Sequence, residues 1–199
     1  MMHIIRARSK TRENMVTSAA LLLREHGLDG TSFAKVLEHA GAPRGSIAHH
    51  FPGGKREMVA DAVLWAGAAA STAMRHAIEQ GDTPAQVFAM VCGFYRRALL
   101  DTHFAAGCPV GNVAQEAHGD EPLRAAVDEV FDQWRSIMRE ALTAAGCSET
   151  DAADLAELCI AGLEGAILLA RVDRSGDPID RVERVLHRLL TTPPTKEPA

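Results

Sequence analysis

From position 44 to 51 the chain reads RGSIAHHF, and its spacing suits contact with a polyanion. At about 100° per residue, Ile47 and Phe51 share one helical face while Gly45, Ser46 and His49 point the other way, with Arg44 and Ala48 between. The outward face is small, basic and rich in hydrogen-bonding groups. Two turns of helix rise roughly 10 Å and a B-DNA major groove is about 12 Å wide, so such a face can reach base edges. The PGGK at 52–55 then delivers Lys55 to the start of another helix, where free N–H groups and the positive dipole end favour a phosphate. A nucleotide-binding phosphate loop is excluded. That loop requires Gly five positions before Gly54 and Ser or Thr after the Lys, where this chain has His49 and Arg56.

Short helices and a tight turn must position these groups. Ser32 is a good N-cap ahead of Phe33, Val36 and Leu37, whose spacing makes one apolar face continuing to Ala40, and Gly41 ends the helix. Ala42 and Pro43 carry the turn, because Pro is tolerated at a helix start where its missing N–H needs no partner. The spacing predicts a second helix over 44–50, which completes a helix-turn-helix. Upstream, 11–26 reads as a helix with Met15, Ala19, Leu22 and Leu23 on one side and Gly27 as its stop. Leu28 and Phe33 help close that core, His26 and His39 lie on the surface, and 1–8 reads as a basic arm without periodicity.

The words GAPRGSIAHHFPGGK at 41–55, with the amphipathic helix before them, resemble the DNA-binding signature of the TetR family of repressors. Together with GCPVGN at 107–112 and QE at 115–116, they are similar to the branch of lincomycin-resistance and flavonoid-responsive repressors. The resemblance implies that Arg44, Ser46, His49 and His50 contact DNA, that Gly45 lets the backbone approach closely and that Lys55 holds a phosphate; Ser32 joins the set as the cap of the supporting helix. One departure stands out: Ala48 occupies the position where the family usually has a Tyr whose hydroxyl meets the DNA backbone.

Charge is distributed accordingly. The chain of 199 residues carries −5 overall, yet residues 1–60 hold nine Lys/Arg against five Asp/Glu, a net +4 that leaves −9 for the remainder. A basic head on an acidic body is expected when only one end meets phosphate. Hydrophobic residues at 47% and charged at 24% describe an ordinary globular protein. One Tyr, two Trp and few β-branched runs favour an all-α fold of about nine helices without a sheet. Cys92, Cys108, Cys147 and Cys159 are widely spaced and the N-terminus lacks a signal-peptide pattern, so a cytoplasmic setting is expected. The longest apolar run, 158–170, contains Glu164 and is too short for a membrane span.

The expected organisation is a DNA-binding domain over 1–55, an effector-binding and dimerisation domain over 56–190 and a disordered tail over 191–199. A long helix from 56 to about 79, carrying Met58, Ala62, Trp65, Ala69, Thr72 and Ala73, is the natural lever between the two domains. Thr83 caps a helix with Pro84 at its first position, a short helix runs to 117, and another reaches 145 with Leu123, Val127, Val130, Phe131, Trp134, Met138 and Leu142 facing the core. Phe88, Cys92, Tyr95, Phe104, Phe131, Trp134 and Met138 line an expected effector cavity for a small apolar or aromatic molecule. The helix over 151–171 is apolar nearly all round from Leu158 and needs cover on every side. A homodimer interface through Leu158, Ala161, Gly162, Gly165, Leu168, Val182 and Leu186 supplies that cover, with two helices from each chain.

No parts of an enzyme assemble: Cys-x-x-Cys, His-x-x-x-His and Gly-x-Ser-x-Gly are all absent, and neither a cofactor nor a metal is expected, His103, Cys108 and His118 matching no metal-site spacing. The rival reading is a helical small-molecule-binding protein or enzyme with a vestigial DNA-binding head, resting on Ala48 and on Glu116 with His118 as an acid–base pair. The main expectation is a ligand-responsive repressor on a palindromic double-stranded operator, with no membrane partner.

Overall fold

The computed structural model describes residues 2–191, with side chains described from Lys10 onward except at Ser46. The expected tail over 191–199 therefore lies, Thr191 apart, outside the described residues. Among the described residues there are nine α-helices and no strand, in agreement with the composition.

Helix α1 (Met2–Gly30) begins earlier than its apolar pattern, because no Pro or Gly in 2–26 interrupts backward propagation; the segment read as an irregular arm is helical. Its geometry breaks at Gly27, whose φ of 67° and ψ of −171° suit glycine. α2 (Phe33–Ala40) is capped by the Ser32 hydroxyl, which accepts from Lys35 N, and ends on Gly41 at φ 60° with the Ala42 N–H returning to Leu37 O at 2.9 Å. α3 (Ser46–His50) starts two residues later than the spacing predicts, the weak helix former Gly45 acting as its cap residue. α4 (Gly54–Glu79) comes next, then α5 (Pro84–Asp101), opened by a capping box between Thr83 and Gln86. α6 (Pro109–Glu116), α7 (Glu121–Ala144), α8 (Glu149–Asp173), capped by Ser148, and α9 (Asp177–Thr191) complete the order.

The chain packs into two units. Among the described residues the first takes 2–67 and 109–130 and the second 68–108 and 131–191, so the three divisions fall within α4, at the start of α6 and within α7. In the first unit Met15, Val16, Ala19, Leu23, Val36, Phe51, Met58, Val59, Ala62, Val63, Val113 and Leu123 are buried, α1 packing on both α2 and α6. In the second, α9 packs on α5 and α8.

The row of residues noted along α4 is buried at one end only. Met58 and Ala62 are buried, but Trp65, Ala69, Thr72 and Ala73 are exposed, and Ser71, Met74 and Ala77 take the inward positions instead. Ala and Thr carry too little apolar contrast along this helix for periodicity to fix its rotation.

Candidate nucleic-acid interface

The helix-turn-helix is held from its apolar side. Phe51, 1% exposed, closes α3 with its N–H on Ile47 O at 2.8 Å, and Val36 and Leu37 bury the inner face of α2. Arg44, Gly45, Ala48 and His49 are left exposed, Ile47 and His50 are half-buried, and the His49 and His50 rings meet edge to face at 4.9 Å. Five helical residues rise about 7.5 Å, within a major groove's width.

Arg12, which sequence reasoning left unassigned, braces this element from α1. Its guanidinium lies over the Phe51 ring at 5.1 Å, donates to the His50 carbonyl at 3.4 Å and pairs with Asp61 and Glu57 of α4. Burial raises the Asp61 carboxyl above its ordinary pKa, and the Arg12 charge partly offsets that. Only the basic type at position 12 was available as a signal.

The Lys55 ammonium donates to Leu28 O at 2.6 Å, and the Gly53 N–H is capped by Glu57 Oε2 at 2.7 Å. Lys55 has three N–H donors, so this bond aims the group while leaving capacity for a phosphate. Ser32 is exposed and serves as the α2 cap. His39, exposed as expected, bonds through Nδ1 with Ser18 Oγ at 3.0 Å.

Glu116 does not pair with His118 in a hydrogen bond or ion pair; its Oε2 accepts the Leu28 and Asp29 N–H groups at 3.0 and 3.1 Å. These partners stand 88 and 87 residues away, beyond the reach of any spacing rule. An acid–base role is disfavoured for a carboxylate committed to two backbone donors.

In the second unit Phe88, Cys92, Tyr95, Trp134 and Met138 are buried, while Phe104 and Phe131 are half-buried. The Tyr95 hydroxyl donates to Cys108 Sγ at 3.2 Å, and the Phe131 and Trp134 rings meet edge to face at 5.7 Å. Burial pushes the thiols of Cys92 and Cys159 up to about 12. It also raises the Glu164 carboxyl above its ordinary value, against the lowering effect of a hydrogen bond with Cys108.

On α8, Leu158, Ala161, Gly165 and Leu168 are exposed along one stripe that continues through Leu169 and Val172. Gly162 lies against Val182 and Leu186 within the same chain, Val182 being half-buried and Leu186 3% exposed. Val185 and Leu189 of α9 are exposed.

The model for bacterial regulatory proteins of the tetR family matches residues 16–62, and that for the LmrA/YxaF-like transcriptional regulator C-terminal domain matches residues 84–185. An uncharacterized HTH-type transcriptional regulator of Mycobacterium tuberculosis is 44% identical over 90% of this chain and 93% of its own. The HTH-type transcriptional regulator LmrA of Bacillus subtilis is 30% identical over 90% and 96%. Among solved structures, a TetR transcriptional regulator from Chloroflexus aurantiacus aligns with a TM-score of 0.75 at 27% identity, covering 94% of this chain and 97% of that one.

Proposed function

Because this chain belongs to the TetR family of transcriptional regulators, in its LmrA/YxaF-like branch, we propose that it is a homodimeric, ligand-responsive repressor in the cytoplasm. It leaves a palindromic operator when a small apolar or aromatic effector binds. The observation that carries this reading is the exposed Arg44, Gly45 and His49 face standing on a fully buried Phe51. Residues 1–55 bind DNA and residues 56–190 bind effector and partner.

The exposed stripe of α8 with Val185 and Leu189 supports the dimer, since a row of large apolar side chains in water favours burial against a second copy. The buried aromatic and sulfur-bearing residues of the second unit support an effector of matching chemistry, with Tyr95 as a polar handle. An effector that prefers a different separation of the two heads shifts the dimer away from DNA, with α4 as the lever.

Footprinting on DNA from upstream of the chain's own gene tests the reading. Two protected half-sites about 34–36 Å apart, centre to centre, are expected of a dimer reading successive major grooves. A single unpaired footprint, or none on any upstream fragment, contradicts it.

A further inference from the structure

The break in α1 is repaired by α6. At Gly27 the backbone leaves helical geometry, in the turn that holds the carbonyls of Leu23 and Arg24 on one side and the N–H groups of Leu28 and Asp29 on the other. Backbone groups at a helix interruption need partners from elsewhere. Asn112 and Glu116 supply both kinds. The Asn112 amide donates to Leu23 O at 2.9 Å and Arg24 O at 3.2 Å, and the Glu116 carboxylate accepts from Leu28 N and Asp29 N. Standing four residues apart on α6, they share one helical face, a donor aligned with acceptors and an acceptor aligned with donors. The fit is close enough that a Cβ on Gly27 would collide with the Glu116 carboxylate.

Beyond the break lies the entry to the helix-turn-helix. The Thr31 hydroxyl donates to Gly27 O at 2.8 Å, Lys35 Nζ to Gly30 O at 2.8 Å and Lys55 Nζ to Leu28 O, so the turn that Glu116 grips also carries the aiming bond of Lys55. Ser32, the cap of α2, comes next in the chain.

We propose that Asn112 and Glu116, some 60 residues beyond the DNA-binding segment, are positioning residues for DNA recognition: by splicing the broken α1 they fix the turn from which Lys55 and α2 are aimed. The proposal rests on the DNA-binding reading above. A free turn makes the protein order Lys55 and the head at the moment of binding, and that cost appears as lost affinity.

Glu116→Ala separates this role from two others. Removing a negative charge near a phosphate-binding surface tightens DNA binding if charge alone matters, and a contact that only stabilises the fold leaves affinity unchanged in protein that is still folded. Positioning predicts weaker binding, by about tenfold, as for a lost hydrogen bond to a charged group. The slope of log affinity against log salt should also fall toward that of Lys55→Ala, the two changes together costing less than their sum. Glu116→Gln, which keeps an oxygen for both N–H groups, should stay near wild type, whereas Glu116→Asp, one methylene too short, should behave like Ala.

The experiment is an anisotropy titration of these variants, with helix content verified by circular dichroism, on upstream DNA at two salt concentrations. Hydrogen exchange at Leu28 and Asp29 is followed without DNA. Faster exchange with weakened binding in the Ala and Asp variants supports the proposal. Wild-type affinity and salt slope in Glu116→Ala despite faster exchange overturn it alone, whereas wild-type protein that binds no upstream DNA overturns the DNA-binding reading beneath it. If Glu116→Ala does not fold, the Gln and Asp pair decides: equal binding by both overturns the proposal.

Discussion

The Arg12 guanidinium lies 5.1 Å from the centroid of the Phe51 ring, so the first helix holds the residue that closes α3. Arg12 is half-exposed and its ion pairs are screened, so Arg12→Ala should cost only about 1 kcal/mol of stability. Its effect on DNA affinity should be larger, because α3 loses its brace. Phe51→Ala, at a site 1% exposed, should cost about 3–5 kcal/mol. Urea unfolding of both variants alongside a DNA titration checks the contrast; equal losses of stability would contradict it.

Glu164 makes stability depend on pH. Its carboxyl has a folded pKa raised by burial, so the stability it contributes is fully present below the unfolded carboxylate value near 4.5 and is lost as pH rises through the folded value. Glu164→Gln removes that loss. Melting temperatures from pH 3.5 to 8 should show the variant more stable than wild type near neutrality, with the gap closing toward pH 4. A gap that is constant across the range would show that Glu164 titrates normally.

The thiols of Cys92 and Cys159, pushed up to about 12, are neutral at pH 8, and all four cysteines are buried. Ellman's reagent should therefore react slowly with native protein and rapidly with four thiols in denaturant. A fast-reacting native thiol would show that the second unit opens readily.

Leu168 stands 49% exposed on the apolar stripe of α8. Leu168→Glu should leave the chain folded, shift it from dimer to monomer in sedimentation equilibrium and weaken operator binding with it, since each head then binds alone. A dimer that survives the substitution places the interface elsewhere.

Local chemistry was legible in the sequence wherever one residue decides one outcome. Ser32, Gly41, Thr83 with Pro84, and Gly146 mark helix ends where the structure has them, because caps and left-handed glycines act within a few residues. Strong apolar contrast likewise marked Leu123, Val127, Val130, Trp134, Met138 and Leu142 of α7, all of which are buried, whereas Phe131, read as core-facing with them, is only half-buried. α4 offers no such contrast, since Ala dominates it, and Trp65 stands exposed on it. Gly27 was readable as a stop but not as a splice, since Asn112 and Glu116 are distant in sequence and polar residues carry no periodic signal. Arg12 was hidden for the same reason: its partners lie 38 and 49 residues on.

The most direct test of the central claim is a fluorescence titration of the purified protein with upstream DNA at two salt concentrations, beside Arg44→Ala. The expected result is tight binding that weakens steeply with salt and drops by about 1–3 kcal/mol in the variant, the range for one base-reading arginine. Binding that is weak, insensitive to salt and indifferent to Arg44 would contradict the assignment of this face to DNA.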